Sequence, residues 1–179
     1  VENPNIMGKK VADQLVETIC GAGIRHIYAV TGDSLNEVND AVRRAGTVRW
    51  IHMRHEESGA FAAAAESELN GIACCAGSSG PGHVHLINGL YDAHRSNCSV
   101  LAIASTCPSD QFGTGYFQET DPIRLFDDCS GYNQMAVTPA QFARMLPAAL
   151  QHAIHRREVA VVGLPGDVAA SPCAESPGA

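Results

Sequence analysis

Glu56 is placed where a side chain could exchange a proton with a bound ligand. It follows an apolar run, residues 48–53, that favours a strand, and it precedes an alanine-rich segment that favours a helix. A carboxylate between a strand and a helix lies at the edge of an α/β sheet, where such folds bind ligands. The helix dipole favours its ionised form, whereas the neighbouring Ala, Gly and Phe residues favour the neutral form, and this combination suits proton exchange. The alternative is that Glu56 and Glu57 only stabilise the first helical turn.

Three other segments are candidates for the same ligand site. In an open parallel sheet, segments that follow strands gather at the carboxyl edge, so we expect them to converge near Glu56. The glycines on either side of Pro81 let the backbone approach a flat ligand, and Pro81 itself stiffens the turn. Phe117 offers an apolar wall and Gln118 offers a hydrogen bond. The three segments are residues 31–33, 78–85 and 116–119.

The sequence argues against several other kinds of site. The glycine-proline-glycine segment continues with His-Val-His, so it is not a GxGxxG dinucleotide motif. Neither a GxxxxGK[ST] phosphate loop nor a GxSxG nucleophile elbow occurs, and a hydrolase is therefore weakly supported. No metal ligand is predicted, because most of the available histidines are expected to be surface or loop residues. These histidines are His52, His55, His83, His85 and His94.

The composition indicates one globular domain. The 179 residues are 45% hydrophobic and 17% charged, which is enough for one proper core. A net charge of -7 without a Lys/Arg cluster argues against nucleic acid and anionic membranes as partners. The seven cysteines follow no disulfide spacing, which favours a reducing compartment, so the cytoplasm is the expected location.

Short apolar runs alternate with segments of helical periodicity along the chain. The sequence therefore predicts an α/β fold, a three-layer α/β/α domain around a six-stranded parallel sheet. A capping box, Ser34 with Glu37, and a second helix start, Thr138-Pro139 with Gln141, are both expected. A helix is predicted over residues 84–95, and a long polar connection over residues 106–120 is expected to be functional or mobile. The predicted strands are residues 26–30, 48–53, 72–76, 99–104, 134–137 and 159–164.

In this order and spacing, these segments resemble the N-terminal pyrimidine-binding domain of thiamin-diphosphate-dependent decarboxylases and oxidases. The similarity covers about residues 9–168 and rests on IYAVTGDSLNE, MRHEESGAFAAAAESELNG, CAGSSGPGHVHLINGLYDAHRSNCSVLAIAS, GYFQET and VVGLPGDV. The motifs VTGDSLN, RHEE and YFQET are most similar to pyruvate oxidase and quinone-dependent pyruvate dehydrogenase. Acetolactate synthases usually carry PRHEQGA and FQEAD and are the alternative branch.

The resemblance implies roles for four residues that bind the cofactor. Glu56 matches the family's activating glutamate, which shares a proton with N1′ of the aminopyrimidine. Pro81 and His85 match positions that line the pyrimidine. Gly32 matches the loop near its amino group.

The resemblance also implies a reaction. Phe117 and Gln118 match residues that face the reacting atoms, and together with Glu56 they are the implied catalytic residues. The implied reaction is oxidative decarboxylation of pyruvate, with electrons passing to FAD and then to quinone or oxygen. Thiamin diphosphate is the implied cofactor of this domain, whereas FAD and Mg²⁺ are expected only in the full-length enzyme.

The expected domain organisation follows from the family's plan. Residues 9–168 are predicted to be the pyrimidine-binding module, residues 1–8 a disordered or non-native segment, and residues 169–179 a linker toward a central domain. Thiamin diphosphate is expected to be shared with the diphosphate-binding domain of another subunit in a homo-oligomer. The chain alone is therefore expected to be inactive. A flavodoxin-like binding or regulatory module without catalysis is the alternative of another class.

Overall fold

Six short segments form strands that pair in parallel in one sheet, as the sequence predicts. The computed structural model of the chain describes residues 8–174. The ends of every strand lie within two residues of the prediction. The strands are β1 (His26–Ala29), β2 (Arg49–His52), β3 (Ala73–Gly77), β4 (Val100–Thr106), β5 (Tyr132–Met135) and β6 (Val159–Pro165).

Helices cover both faces of this sheet and complete the predicted three-layer α/β/α arrangement. Three short 3₁₀ turns lie between them, at Asp33–Leu35, Ser109–Gln111 and Asp127–Cys129. The helices are α1 (Val11–Gly21), α2 (Asn36–Ala45), α3 (Glu56–Asn70), α4 (Pro81–Val84), α5 (Ile87–Arg95), α6 (Pro122–Leu125), α7 (Pro139–Arg156) and α8 (Gly166–Ala170).

The order of the strands is β2-β1-β3-β4-β6-β5, and this order creates a crevice. The chain leaves β1 toward β2 on one side and then returns to place β3 on the other side of β1. The strand order therefore reverses between β1 and β3, and the segments after these two strands separate there. Open α/β sheets bind ligands in such a crevice, outside the carboxyl ends of the strands.

Alternate residues of the central strands point to opposite faces of the sheet. Cys74 and Leu101 pack in the layer of α1, α2, α7 and α8, whereas Cys75 and Ala102 pack in the layer of α3 and α5. Every residue of β4 and β6 is buried. This double coverage explains why the strand sequences are continuously apolar rather than alternating.

The predicted helix over residues 84–95 is wrong in its first turn. Two helices occupy the region, and the first of them, α4, already begins at Pro81. Proline suits this position because the first helical turn leaves its N–H groups unpaired. Gly80, with φ of 67°, provides the left-handed bend before it. Pro81 and Gly82 are therefore helical, and the turn proper is residues 78–80.

The predicted capping box at Ser34 is also wrong. Asp33–Leu35 form a 3₁₀ turn, and α2 begins at Asn36 without a side-chain cap. The Ser34 hydroxyl instead accepts a hydrogen bond from Ser79 N at 2.9 Å. The Ser34 carbonyl accepts another from Ser105 Oγ at 2.8 Å. Ser34 thus connects the ends of three neighbouring strands, a tertiary role that outweighs the local cap.

The predicted start of α7 is confirmed. Thr138 Oγ1 accepts a hydrogen bond from Gln141 N at 3.2 Å, and Pro139 occupies the first helical position. Gln141 Oε1 accepts its hydrogen bond from Val137 N at 3.0 Å, one residue earlier than in a capping box.

Residues 171–174 pack against the start of α1. Val11 N donates to Ser171 O at 2.9 Å, and Cys173 N donates to Lys9 O at 2.8 Å.

The proposed domain boundaries stay predictions, and residues 1–7 and 175–179 lie outside the described residues. No helix within residues 8–174 has both the length and the apolar character that crossing a membrane requires.

Candidate functional site

Glu56 is the first residue of α3 and one of the few buried charged residues in residues 8–174, at 8% exposure. The extended residue before it, His55, caps the helix because its Nδ1 accepts a hydrogen bond from Glu57 N at 3.3 Å. His85 Nδ1 lies 3.1 Å from Glu56 Oε2. The carboxylate therefore lies at the helix N-terminus, as predicted, where the dipole stabilises negative charge.

His55 and His85 form a stacked pair of exposed rings beside this carboxylate. The ring centroids are 4.5 Å apart and the rings are inclined by 26°. Such a surface suits a flat aromatic ligand, because aromatic rings prefer offset-stacked or edge-to-face contacts. The imidazole of His85 is exposed and can turn away from Glu56 without disturbing the core.

The same residues are the one group of possible metal ligands found within residues 8–174. The candidate ligand atoms of His55, Glu56 and His85 lie within 4.8 Å of one another. Stacking disfavours a shared ion, because the lone pairs of stacked rings lie in nearly parallel planes and an ion in one plane lies outside the other. The absence of a metal ligand stays a prediction, and this ring geometry favours it.

Glycines bring the turn after β3 into close contact with Glu56. A Cβ on Gly77 would lie 2.5 Å from His83 Cα, and a Cβ on Gly82 would lie 2.5 Å from Ser78 Oγ. The same Gly82 position is 3.4 Å from Glu56 Oε1. The carboxylate of Glu56 therefore borders residues 78–82, which we call the glycine-proline turn. The exposed Pro81 lies within this turn, at the start of α4.

Phe117 and Gln118 lie near the end of the long connection after β4. Phe117 is 78% exposed, so its ring extends into solvent. Gln118 has φ of 60°, in the left-handed region that non-glycine residues rarely adopt. Its carbonyl accepts a hydrogen bond from Ser79 Oγ at 3.0 Å, and a Cβ on Gly80 would lie 2.8 Å from Gln118 Cβ. This loop is therefore attached to the glycine-proline turn.

A cleft of about 660 Å³ opens at the reversal of the strand order. Gly32 lines it and packs so closely on Ser78 that a Cβ there would lie 2.4 Å from Ser78 Cβ. Glu56 is not part of this lining. The predicted site residues thus form two adjoining groups. Glu56, Pro81 and His85 surround the turn, and Gly32, Phe117 and Gln118 line the cleft.

Most of the histidines considered as metal ligands are exposed, as predicted, and His83 is the exception because it is 0% exposed. Its Nδ1 donates to Ser105 O at 2.8 Å, and its Nε2 accepts from Thr120 Oγ1 at 2.6 Å. A carbonyl oxygen only accepts, so Nδ1 carries the ring proton. Burial lowers the pKa of His83, and its hydrogen bond to Ser105 opposes this shift. The ring joins the turn after β3, the end of β4 and the loop that carries Gln118.

Sequence reasoning did not predict the contacts that hold the loops together. Their short-range signals are weak, because serine, threonine and histidine in loops usually contact water. The available clue was that Ser79, His83 and Glu119 lie within the candidate segments 78–85 and 116–119. The residues whose contacts were not predicted are Ser34, Ser79, His83, Glu119 and Thr120.

Comparison with known proteins agrees with this geometry. Residues 9–125, more than half of the chain, match the model of the thiamine pyrophosphate enzyme N-terminal TPP binding domain. The chain belongs to the thiamine pyrophosphate (TPP) enzyme family. TPP is another name for thiamin diphosphate, so the family resemblance drawn from the motifs is confirmed.

Three relatives of this TPP-binding domain illustrate the range of the family. An uncharacterized 42.6 kDa protein in the isoamylase 3′ region of Pseudomonas amyloderamosa is 55% identical over 161 residues, 89% of this chain and 41% of that protein. Pyruvate oxidase of Lactiplantibacillus plantarum is 38% identical over 148 residues, 82% of this chain and 24% of that protein. Acetolactate synthase 3, chloroplastic, of Brassica napus is 31% identical over 162 residues, 89% of this chain and 25% of that protein. The chain spans less than half the length of each relative.

Proposed function

We propose that this chain is the pyrimidine-binding domain of a TPP-dependent enzyme that oxidatively decarboxylates a 2-oxo acid, with pyruvate as the substrate. The observation that carries the proposal is the buried carboxylate of Glu56, which borders a glycine-proline turn and an exposed histidine pair. The identity of 38% to a pyruvate oxidase supports the choice of branch.

The residues around Glu56 suit the aminopyrimidine ring of TPP. A ring nitrogen needs a neighbour that can hold or release a proton, and Glu56 supplies a carboxyl group with little access to water. A flat ring needs backbone that approaches it closely, which Gly82 permits. Glu56, Pro81 and His85 would hold the pyrimidine, and Gly32 would lie near its amino group.

The chain's own residues would then hold a proton on the cofactor and bind the substrate. Bound TPP supplies an electron sink for the pair released when a 2-oxo acid loses carbon dioxide. Glu56 would hold the proton at ring nitrogen N1′, and the low exposure of the carboxylate strengthens this interaction because water competes less. Phe117 would exclude water from the reacting atoms, and the Gln118 amide would hydrogen-bond the substrate.

His85 would have to share or release Glu56 when the pyrimidine binds. Its Nδ1 now lies 3.1 Å from Oε2, which leaves Oε1, the oxygen next to Gly82, for a ring nitrogen. Because His85 is exposed, rotation of its ring requires no rearrangement of the core. His85 therefore shields the acid before the cofactor arrives and lines the pyrimidine afterwards.

The remainder of the cofactor would be held by a partner. The diphosphate-binding domain of another subunit in a homo-oligomer, with Mg²⁺, is the proposed partner, and FAD would bind a central domain of the parent enzyme in the cytoplasm. Tyr116 and Phe117, 45% and 78% exposed, supply apolar surface that such a domain would cover. The chain alone would be inactive because half of the cofactor site lies elsewhere.

Replacing Glu56 in the full-length protein tests this function. Glu56→Gln removes the ionisable group with little change in size, so pyruvate-dependent turnover should fall at least about 100-fold. Glu57→Gln is the matched control, because Glu57 lies in the same helical turn but binds Asn88 on α5. Circular dichroism checks that both variants fold. Retention of turnover by Glu56→Gln would reject the proposal.

Acetolactate synthesis is the second candidate, because the chain is 31% identical to a plant acetolactate synthase. The two functions differ in where the electrons go. Pyruvate-dependent reduction of a quinone or oxygen without formation of acetolactate supports the oxidative reaction. Formation of acetolactate from pyruvate without an electron acceptor supports the synthase.

A further inference from the structure

The loop of residues 113–119 is folded around one carboxylate. Glu119 Oε1 accepts a hydrogen bond from Gly113 N at 2.5 Å. Glu119 Oε2 accepts from Gly115 N at 2.8 Å and from Tyr116 N at 3.1 Å. Glu119 N also donates to Tyr116 O at 2.9 Å. Because three backbone donors converge on one side chain, Glu119 closes the loop into a compact turn.

This turn contains three residues with positive φ. The values are 78° for Gly113, 72° for Gly115 and 60° for Gln118. Glycine adopts such angles freely, whereas a glutamine remains there only when its surroundings hold it. Gln118 lies next to Glu119, and its own carbonyl accepts from Ser79 Oγ at 3.0 Å. The strained residue is therefore held on both sides.

The neighbouring Phe117 depends on the same backbone. Its side chain is 78% exposed, so packing does little to place the ring, and the path of the chain decides where the ring lies. Thr120 anchors one end of the loop to His83 through a 2.6 Å hydrogen bond. Glu119 holds the other end, because it binds the amides that precede Phe117.

We propose that Glu119 is a positioning residue, whose carboxylate fixes the loop that directs Phe117 and Gln118 toward the substrate. The direction toward substrate rests on the proposed function, whereas the hydrogen bonds do not. The role requires an ionised acid, because both carboxylate oxygens only accept, while the amide of glutamine would turn an N–H group toward backbone donors. The hydrogen bond from Gly113 N, with those from Gly115 and Tyr116, lowers the pKa of Glu119, which favours this ionised state.

Limited proteolysis by chymotrypsin tests the loop in this chain. Chymotrypsin cleaves after aromatic residues and, more slowly, after leucine, so mass spectrometry can follow cleavage after Tyr116, Phe117 and Leu69. Glu119→Gln should speed this cleavage about tenfold, because opening the loop no longer breaks hydrogen bonds to a charged group. Asp110→Asn is the matched control, since it removes a charge from an exposed position of the same connection. Cleavage after Leu69, which is 85% exposed, reports on the remainder of the fold.

Two results separate loop closure from misfolding. Faster cleavage at Phe117 with unchanged cleavage at Leu69 supports the proposal, and Glu119→Asp, which keeps the charge on a shorter side chain, should restore part of the protection. Equal rates for Glu119→Gln, Asp110→Asn and the unchanged chain would overturn it.

Turnover of the full-length protein tests positioning as opposed to mere stability. Glu119→Gln should lower kcat about tenfold and leave the Kd for TPP unchanged, because Glu56 and the glycine-proline turn are untouched. A loosened loop with unchanged kcat would reject the positioning role. Loss of the proposed function itself would appear separately, as turnover retained by Glu56→Gln, and would leave the proteolysis result intact.

Discussion

Replacing His83 should loosen the link between the two groups of site residues. The His83 ring is 0% exposed and makes two hydrogen bonds, at 2.8 Å to Ser105 O and at 2.6 Å to Thr120 Oγ1. His83→Ala removes both bonds and leaves a cavity. An unpaired buried carbonyl costs about 1–3 kcal/mol, and truncating a large buried side chain costs about 2–5 kcal/mol. These contributions overlap, so we expect a loss of about 3 kcal/mol in the free energy of unfolding.

Smaller changes separate the two hydrogen bonds. His83→Asn keeps a donor near the position of Nδ1, so it should retain the bond to Ser105 and lose only the one to Thr120. Thr120→Val removes the same hydrogen bond from the other side, so each variant should lower the free energy of unfolding by about 1 kcal/mol. The double variant should lower it by less than the sum of the two single effects, because both changes remove the same interaction. Equilibrium unfolding in urea measures the free energy of unfolding of the unchanged chain, His83→Ala, the two smaller variants and the double variant.

Two outcomes would refute this reasoning. One is a loss below about 0.5 kcal/mol for His83→Ala, which is the range of ordinary surface substitutions. The other is strict additivity of His83→Asn and Thr120→Val, which would mean that the two side chains do not interact.

The remaining predictions concern pH, packing and reactivity. Burial lowers the pKa of His83 below its ordinary value of 6.5. The stability that neutral His83 contributes is therefore fully present above pH 6.5 and is lost as pH falls toward the lowered pKa. The difference in unfolding free energy between the unchanged chain and His83→Asn should shrink over that interval, and a constant difference would contradict the prediction. Gly77→Ala should lower the free energy of unfolding by at least about 2 kcal/mol, because the new Cβ would lie 2.5 Å from His83 Cα. Gly21→Ala adds a Cβ with nothing within 4 Å and should stabilise α1 by about 0.5–1 kcal/mol. Thermal unfolding should therefore give a lower Tm for Gly77→Ala than for Gly21→Ala. The hydrogen bond from Gly113 N, and those from Gly115 N and Tyr116 N, lower the pKa of Glu119. The three amide NMR signals should therefore shift together as pH falls through this lowered pKa, with one common midpoint below pH 4.5. Separate midpoints would argue against one shared acceptor. Burial raises the pKa of Cys75 to about 12, so iodoacetamide at pH 8 should label the partly exposed Cys173 and leave Cys75 unmodified until the chain unfolds.

Local patterns were sufficient to predict the sheet and the position of Glu56. A strand buried on both faces is a continuous apolar run, and β3, β4 and β6 show such runs because neighbouring helices cover them. Glu56 could be placed because the change from apolar run to alanine-rich helix occurs within a few residues of it. These signals depend on neighbours along the chain, and so the sequence displays them directly.

Contacts between distant segments could not be predicted in the same way. Ser34 matched a capping box, yet its hydroxyl binds Ser79, 45 residues away. His83 resembled a loop histidine, but its ring lies buried between Ser105 and Thr120. Each residue has several possible partners of similar strength, and only the strand order decides which partner is close. A tertiary contact can therefore replace the contact that a local motif predicts, and the sequence around the residue does not show it.

The sequence by itself determined the class of fold, the family and the acid at the centre of the candidate site, because each depends on residue types in short, ordered segments. The tertiary structure alone decided that Glu56 borders the turn while Phe117 and Gln118 line the adjoining cleft. It also decided that one carboxylate, Glu119, holds the loop that carries Phe117 and Gln118. The physical reason is that the reversal of strand order between β1 and β3 brings these segments together, and hydrogen bonds act only at such distances.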